Sequence, residues 1–149
     1  MQLQKEIQAS RFESAHQQAV VNVIFTCNWC NDKFKQAMMP YNVTTQQFNV
    51  LRILRGQYPK PSTINLLKAR ILDKMCDASR IVDRLVQKEL VVKKSNPVDK
   101  RAVDILISEK GLELLKQMDQ EVDLSAPISS NLTDEEAGQL NYLLDKMRG

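Results

Sequence analysis

Residues 8–39 carry one long stripe of apolar and semi-apolar side chains. Phe12, His16, Val20, Val23, Cys27, Cys30, Phe34 and Met38 recur at steps of three or four, and no proline interrupts until Pro40. That spacing puts all eight on one face of a single helix. A chain of 149 residues has too small a body to hide the stripe of so long a helix. The helix is therefore expected to pack against a partner helix, such as one from another subunit.

The same length suffices for one domain with its own core and is too short for two ordinary independent ones. Apolar residues at 43% and charged residues at 26% mark a globular chain, and aromatics at 5% leave the core to aliphatic side chains. Four glycines and five prolines leave little room for a turn-rich β architecture, so a mainly α fold is expected. Residues 1–11 are polar and charged, without the apolar run of a signal peptide. The most apolar stretch, residues 19–25, is interrupted by Asn22 and too short to span a bilayer. A soluble, cytoplasmic protein with no membrane partner is the expectation. Three cysteines are an odd number and make no disulfide framework.

Further along, Thr44 and Thr45 offer an N-cap to a helix over residues 45–55, with Phe48, Leu51, Ile53 and Leu54 inside and Gly56 ending it. Ser62 or Thr63 caps a third helix carrying Ile64, Leu67 and Ile71. Asp73 is the expected cap of a fourth, running to about residue 88 with Met75, Ala78, Ile81, Val82 and Leu85 buried. Its outer face holds Lys74, Asp77, Ser79, Arg80, Asp83, Arg84 and Gln87. Two short helices a few residues apart, the second polar and basic outside, fit a helix-turn-helix. Two β-prone runs, residues 90–94 and 102–107, then flank the turn formers of residues 95–101. A β-hairpin in that place is a wing. Ser108 caps a fifth helix with Leu112, Leu115, Met118 and Val122 on one side, and Pro127 is expected to break it. Thr133 and Glu136 form a capping box for the last helix, expected to bury Ala137, Leu140, Leu143, Leu144 and Met147.

Charge is unevenly spread along these elements. Residues 74–101 hold eight basic residues against four acids, a net of +4, whereas residues 109–149 hold four against nine, a net of −5. A positive segment centred on a helix-turn-helix and its wing suits an anionic partner such as DNA.

Several strings, in this order, resemble the MarR family of bacterial transcription regulators. Thr44-Thr-Gln-Gln-Phe-Asn-Val-Leu51 resembles the helix before the helix-turn-helix, and Asp77-Ala-Ser-Arg-Ile-Val-Asp-Arg-Leu85 the recognition helix. Glu89-Leu-Val-Val92 resembles the exit into the wing, and Asn96-Pro-Val-Asp-Lys-Arg-Ala102 the acidic-x-arginine wing tip. Ile107-Ser-Glu-Lys-Gly111 resembles the start of the following helix, and residues 132–144 the closing dimerisation helix. The resemblance implies one MarR-like domain over residues 1–149, with a winged helix-turn-helix at 44–108. Residues 1–40 and 109–149 would form the helical dimerisation part, intertwined in a homodimer. It further implies double-stranded DNA as partner, a recognition helix in each of two successive major grooves, and wings on the flanking minor grooves. Two such helices about 34 Å apart would read a pseudo-palindrome.

Residue by residue, Ser79 and Arg80 match positions facing the groove, where Arg80 can fork to a guanine. Lys74 and Arg84 are expected at phosphates. Arg101 matches the wing arginine, Asp99 the acid that orients it, and Lys100 adds charge beside them. Asp77 stands where the family often has a small hydroxyl residue. It could read cytosine, hold Arg80 in place, or weaken phosphate contacts. The family's effector cleft lies between the dimer helices and the winged helix, where Trp29, Phe48 and Tyr58 are candidate liners for a small molecule. Such an effector would act by shifting the spacing of the recognition helices of a repressor.

Cys27-Asn-Trp-Cys30 invites a metal or redox reading, but two cysteines make at best half a structural zinc site and His16 lies about three turns away. No metal site is expected. Both thiols fall on the stripe, where small buried residues are the plain reading. An oxidant sensor, a use some MarR-like proteins make of a cysteine near the first helix, requires one of them exposed with a lowered pKa. Cys76 lies near a helix start that favours thiolate, and is otherwise a small residue in a turn. No glycine-rich phosphate loop is present, one histidine permits no repertoire of triads, and Asp134-Glu135-Glu136 is a helix start favoured by the dipole. Neither an enzyme nor a bound cofactor is expected. A winged helix serving as a protein-interaction module is the alternative from another class, and Arg80, Arg84, Lys100 and Arg101 argue against it.

Overall fold

The structure, a computed structural model, describes residues 2–8 and 11–149. Among the described residues, eight α-helices and one hairpin follow in the order α1 (Leu3–Glu6), α2 (Ala15–Met38), α3 (Thr45–Gln57), α4 (Ile64–Arg70), α5 (Ala78–Gln87), β1 (Val91–Ser95), β2 (Val103–Ile107), α6 (Glu109–Glu121), α7 (Ala126–Ser129) and α8 (Asp134–Arg148). A 3-10 turn, Met39–Tyr41, follows α2 with Pro40 in its first turn. The mainly helical winged helix-turn-helix expected from the sequence is present. The chain divides into two compact units, one of Met1–Gln36 with Leu124–Gly149 and the other of Ala37–Asp123.

In the second unit each helix begins where a side chain can satisfy its free N–H groups. The Thr44 hydroxyl accepts from the Gln47 N–H at 3.1 Å, while Gln47 Oε1 accepts from the Thr44 N–H at 3.1 Å, a complete capping box for α3. Thr63, and not Ser62, caps α4 through the Leu66 N–H. Ser108 caps α6 through the Gly111 N–H at 3.0 Å. The core is drawn from every element of this unit: Val50, Leu51 and Leu54 of α3, Leu67 of α4, Ala78, Val82 and Leu85 of α5, Val91, Ile105 and Ile107 of the hairpin, and Leu115 and Met118 of α6 are buried. Each larger aliphatic side chain so buried contributes about 1.5–3 kcal/mol. The strands are antiparallel, from Val91 opposite Ile107 to Ser95 opposite Val103. Ser62 exchanges two backbone hydrogen bonds with Ile105, at 2.8 and 2.9 Å, and so ties the loop before α4 to the hairpin.

Gly111 sits at a close approach. A Cβ there would lie 2.4 Å from the Leu90 carbonyl oxygen and 2.7 Å from the Ile107 side chain. The first turn of α6 presses on Leu90, just before β1, and on Ile107, the last residue of β2, and only glycine permits it.

In the first unit the long helix is shorter than its stripe. The expected start at Gln8 fails because Gln8 has φ of 53°, and Ala9 and Ser10 lie outside the described residues. The Ser14 hydroxyl accepts from the Gln17 N–H at 3.1 Å, which sets the helix start at Ala15 and leaves Phe12 before it. Most of the stripe is also not buried: Val20 is 54% exposed and Cys27, expected inside, is exposed, whereas Met38 at its C-terminal end is buried. Off the stripe, Ile24 is 58% exposed.

The last helix repeats this pattern. Thr133 and Glu136 make the expected capping box, which holds the Glu136 carboxyl below its usual range through hydrogen bonds from Thr133. Its apolar face, however, is largely open: Leu140, Leu143 and Met147 are 41%, 58% and 52% exposed. The periodicity was legible, but a single chain supplies nothing to cover it. Pro127 opens α7 rather than breaking α6, which has already ended at Glu121.

Candidate nucleic-acid interface

Helix α5 starts four residues later than the sequence suggests. Asp77, not Asp73, is its N-cap, with Oδ1 accepting from the Arg80 N–H at 3.1 Å. Of the roles open to Asp77, this geometry gives it a hold on Arg80 through the backbone. Asp73 instead folds the preceding turn. Its Oδ1 accepts from the Met75 N–H and its Oδ2 from Gln46 Nε2, both at 3.0 Å. Met75, expected in the core, is 94% exposed on that turn.

Ala78, Val82 and Leu85 anchor the inner face of α5, which leaves Ser79, Arg80, Asp83, Arg84 and Gln87 outside and exposed. Among the described residues, no acid pairs with the side chains of Arg80 or Arg84. Asp83 does have a partner, for its Oδ1 lies 2.6 Å from Lys93 Nζ on β1. Lys74 is turned inward. Its ammonium donates to the Ala69 and Lys68 carbonyls at 2.7 and 3.3 Å. It thus meets the free carbonyls at the C-terminal end of α4, where a cation is favoured.

The wing tip is braced by side-chain turns. Asn96 Oδ1 accepts from the Val98 and Asp99 N–H groups, both at 2.9 Å, while Asn96 Nδ2 donates to Asp104 Oδ1 at 3.0 Å. Asp99 Oδ1 accepts from the Arg101 N–H at 3.0 Å. The acid therefore fixes the Arg101 main chain and leaves the guanidinium to solvent. Lys94, Lys100 and Arg101 are exposed and, among the described residues, have no acidic partner.

The far end of α5 is held by residues with no role expected from the sequence. Lys88 Nζ donates to the Asn42 carbonyl at 2.5 Å and to Gln47 Oε1 at 3.0 Å. Lys110 Nζ donates to the Lys88 carbonyl at 3.2 Å and lies 3.3 Å from Glu89 Oε2. Glu89 takes the left-handed conformation, φ 61°, that ends the helix. Lys88 could have been found from the sequence only by pairing it with the capping glutamine 41 residues away.

The candidate effector and redox residues fall on several elements, Trp29, Cys27 and Cys30 on α2, Phe48 on α3, Tyr58 after α3 and Cys76 before α5. Trp29 is half-buried on α2 with Lys33 Nζ 5.9 Å over its ring, and Phe48 is half-buried on α3 with Arg52 5.8 Å over its ring. Tyr58 lines an open cleft of about 420 Å³ with Val92, Lys94 and Leu106. A second cleft, about 440 Å³, lies between Tyr41, Lys88, Lys110 and Leu114. Burial and then the neighbouring Cys27 push the Cys30 thiol up, and burial followed by Asp73 pushes up that of Cys76. Neither shift is in the direction of a resting thiolate. Among the described residues no helix is long and apolar enough to cross a membrane, and no group of three or more His, Cys, Asp and Glu side chains could hold a metal.

Comparison with known proteins points one way. The MarR family profile matches residues 43–103, from the start of α3 to the second wing strand. The multiple antibiotic resistance protein MarR of Escherichia coli is 34% identical over 112 residues, covering 74% of this chain and 76% of that protein. The transcriptional regulator MhqR of Bacillus subtilis is 28% identical over 119 residues, covering 78% and 80%. A crystal structure of a mutant E. coli MarR complexed with operator DNA superposes with a TM-score of 0.74 at 29% identity, over 99% of both chains. With its order of elements, its capped recognition helix and its wing, the chain belongs to the MarR family of winged-helix transcription regulators.

Proposed function

We propose that the protein is a homodimeric repressor that binds a pseudo-palindromic operator in double-stranded DNA. The observation that carries this reading is the outer face of α5, where the side chains of Arg80 and Arg84 are exposed and without an acidic partner among the described residues, as are Lys100 and Arg101 of the wing. Cations left free on a recognition helix and on the wing that follows it are what phosphate and base contacts require. The operator complex of the 29%-identical MarR supports it. Dimerisation is supported by the open apolar faces of α2 and α8, which a second copy would cover. Within this reading Ser79 and Arg80 face bases, Arg84 and Lys100 phosphates, and Arg101 the minor groove. Asp77 and Asp99 position their neighbours. Lys74 acts on the α4 terminus before it acts on DNA.

Two inputs fit the same output. One is a small-molecule effector, for which the open cleft lined by Tyr58, Val92 and Leu106 offers room. Oxidation at Cys27 or Cys30 has in its favour that Cys27 is exposed, and against it the raised pKa of Cys30. The interaction-module reading is disfavoured by the unpaired cations on both DNA-facing elements.

The test is binding to a labelled duplex by fluorescence anisotropy over a range of salt, with Arg80→Ala and Arg101→Ala alongside. Affinity is expected to fall steeply with salt, with a slope of about −0.9 per phosphate neutralised, and each variant to bind more weakly. Binding unaltered by both substitutions would move the interface elsewhere. No binding at low salt would return the chain to the interaction-module class.

A further inference from the structure

We propose that Leu72 and Met75, on the turn between α4 and α5, are specificity residues that press on the 5-methyl groups of thymines in the major groove. The proposal rests on the DNA-binding reading above and adds to it two residues on no basic face.

The turn has its polarity inverted. Its polar groups bind back to the protein: the Leu72 N–H donates to Asn49 Oδ1 at 3.0 Å, Asp73 accepts from Gln46 and from the Met75 N–H, and Lys74 reaches the α4 carbonyls. The two apolar side chains take the outside, Leu72 at 83% and Met75 at 94% exposure. A lone exposed hydrophobe needs no explanation. Two on one short turn, held outward by hydrogen bonds on both sides, do. The exposed hydrophobes of α2 and α8 are open to 63% at most, and among the described residues the remaining one above 80% is Val98 at the wing tip. The three most exposed large hydrophobes among the described residues thus lie on the turn before the recognition helix and at the wing tip after it.

Position names the occupant. Met75 stands two residues before the Asp77 cap, at the N-terminal end of α5, the end that meets base edges in helix-turn-helix docking. A phosphate offers an apolar side chain nothing. The apolar feature of the major groove is the thymine methyl. The continuity of this turn with unpaired Arg80, one helical turn further on, makes duplex DNA the fitting partner.

The experiment uses the full chain and a duplex selected from a random pool. That duplex is synthesised twice, once with thymidine and once with deoxyuridine throughout, so that only the methyl groups differ. The wild-type protein is expected to lose about fourfold in affinity per contacted thymine, the burial of one methyl group. Leu72→Ala/Met75→Ala should bind the thymidine duplex more weakly and respond little to methyl removal. Both positions are exposed, and circular dichroism checks that the variant folds as its parent. Equal loss by variant and wild type, or indifference of the wild type to the methyl groups, overturns the proposal. Arg80→Ala separates the two readings. If it weakens binding while methyl removal does nothing, the DNA reading stands and this one falls. If no duplex is enriched by the wild type, both fall.

Discussion

Lys93 Nζ lies 2.6 Å from Asp83 Oδ1, so the first strand of the wing is tied by charge to the outer face of the recognition helix. Both side chains are more than a third exposed, and a pair so placed is worth at most about 1 kcal/mol. A double-mutant cycle of Asp83→Asn and Lys93→Met, read by urea unfolding, is expected to give a coupling within that limit. DNA binding should respond more. Asp83→Asn frees the Lys93 ammonium and removes a negative charge facing the groove. The slope of log affinity against log salt should steepen by about 1. An unchanged slope would show that Lys93 does not reach a phosphate.

The Asp77 cap links helix stability to placement of Arg80. Asp77→Ala should cost about 1 kcal/mol of stability, while Asp77→Asn, which keeps an acceptor, should cost little. Thermal unfolding of the two variants checks this. A loss as large in Asp77→Asn as in Asp77→Ala would mean that the charge, and not the cap, is at work.

Two helical glycines should respond with opposite signs. A Cβ at Gly56 meets nothing within 4 Å, so Gly56→Ala is expected to stabilise by about 0.5–1 kcal/mol through helix propensity. A Cβ at Gly111 falls 2.4 Å from the Leu90 carbonyl oxygen, so Gly111→Ala should destabilise by about 1–3 kcal/mol despite the same propensity gain. Denaturant midpoints decide it, and equal signs would contradict the close approach of α6 to Leu90 and Ile107.

Tyr41 and Glu121 should give stability a double pH dependence. The Tyr41 hydroxyl donates to Glu121 Oε2 at 2.6 Å, which raises the phenol pKa and, with Gln117 helping, lowers that of the carboxyl. The lowered carboxyl contributes stability above its unfolded value of about 4.3, lost as pH falls through the folded value. The raised phenol contributes stability below its unfolded value of about 10, lost as pH rises through its folded value. The difference in melting temperature between wild type and Tyr41→Phe should therefore be widest between about pH 5 and 9 and narrow at both extremes. A difference that does not vary with pH would assign the effect to packing.

Where these residues carried their own local signals, the sequence was enough. The Thr133 and Glu136 box, the turn formers between the wing strands and the period of α5 all survive in the structure because each is decided within a few residues. The start of α5 was misplaced because Asp73 and Asp77 are equally able caps four residues apart. Only the tertiary contact of Asp73 with Gln46 assigns the first to the turn. The need for Gly111 was invisible because its neighbour Leu90 is 21 residues away in the chain. The basic residues looked alike in sequence. Lys74 and Lys93 are engaged with the protein, whereas Arg80 and Arg84 have no acidic partner among the described residues. The faces of α2 and α8 were read with the right period and the wrong surroundings, since burial depends on what is packed against a helix as well as on its own pattern.

Selection of bound duplexes from a random pool tests the central claim most directly. The expected result is an inverted repeat whose half-site centres lie one helical turn, about 10 base pairs, apart, recovered by the wild-type protein and not by Arg80→Ala. Failure to enrich any sequence, or enrichment of a single unrepeated half-site, would contradict a dimer that presents two recognition helices to one face of DNA.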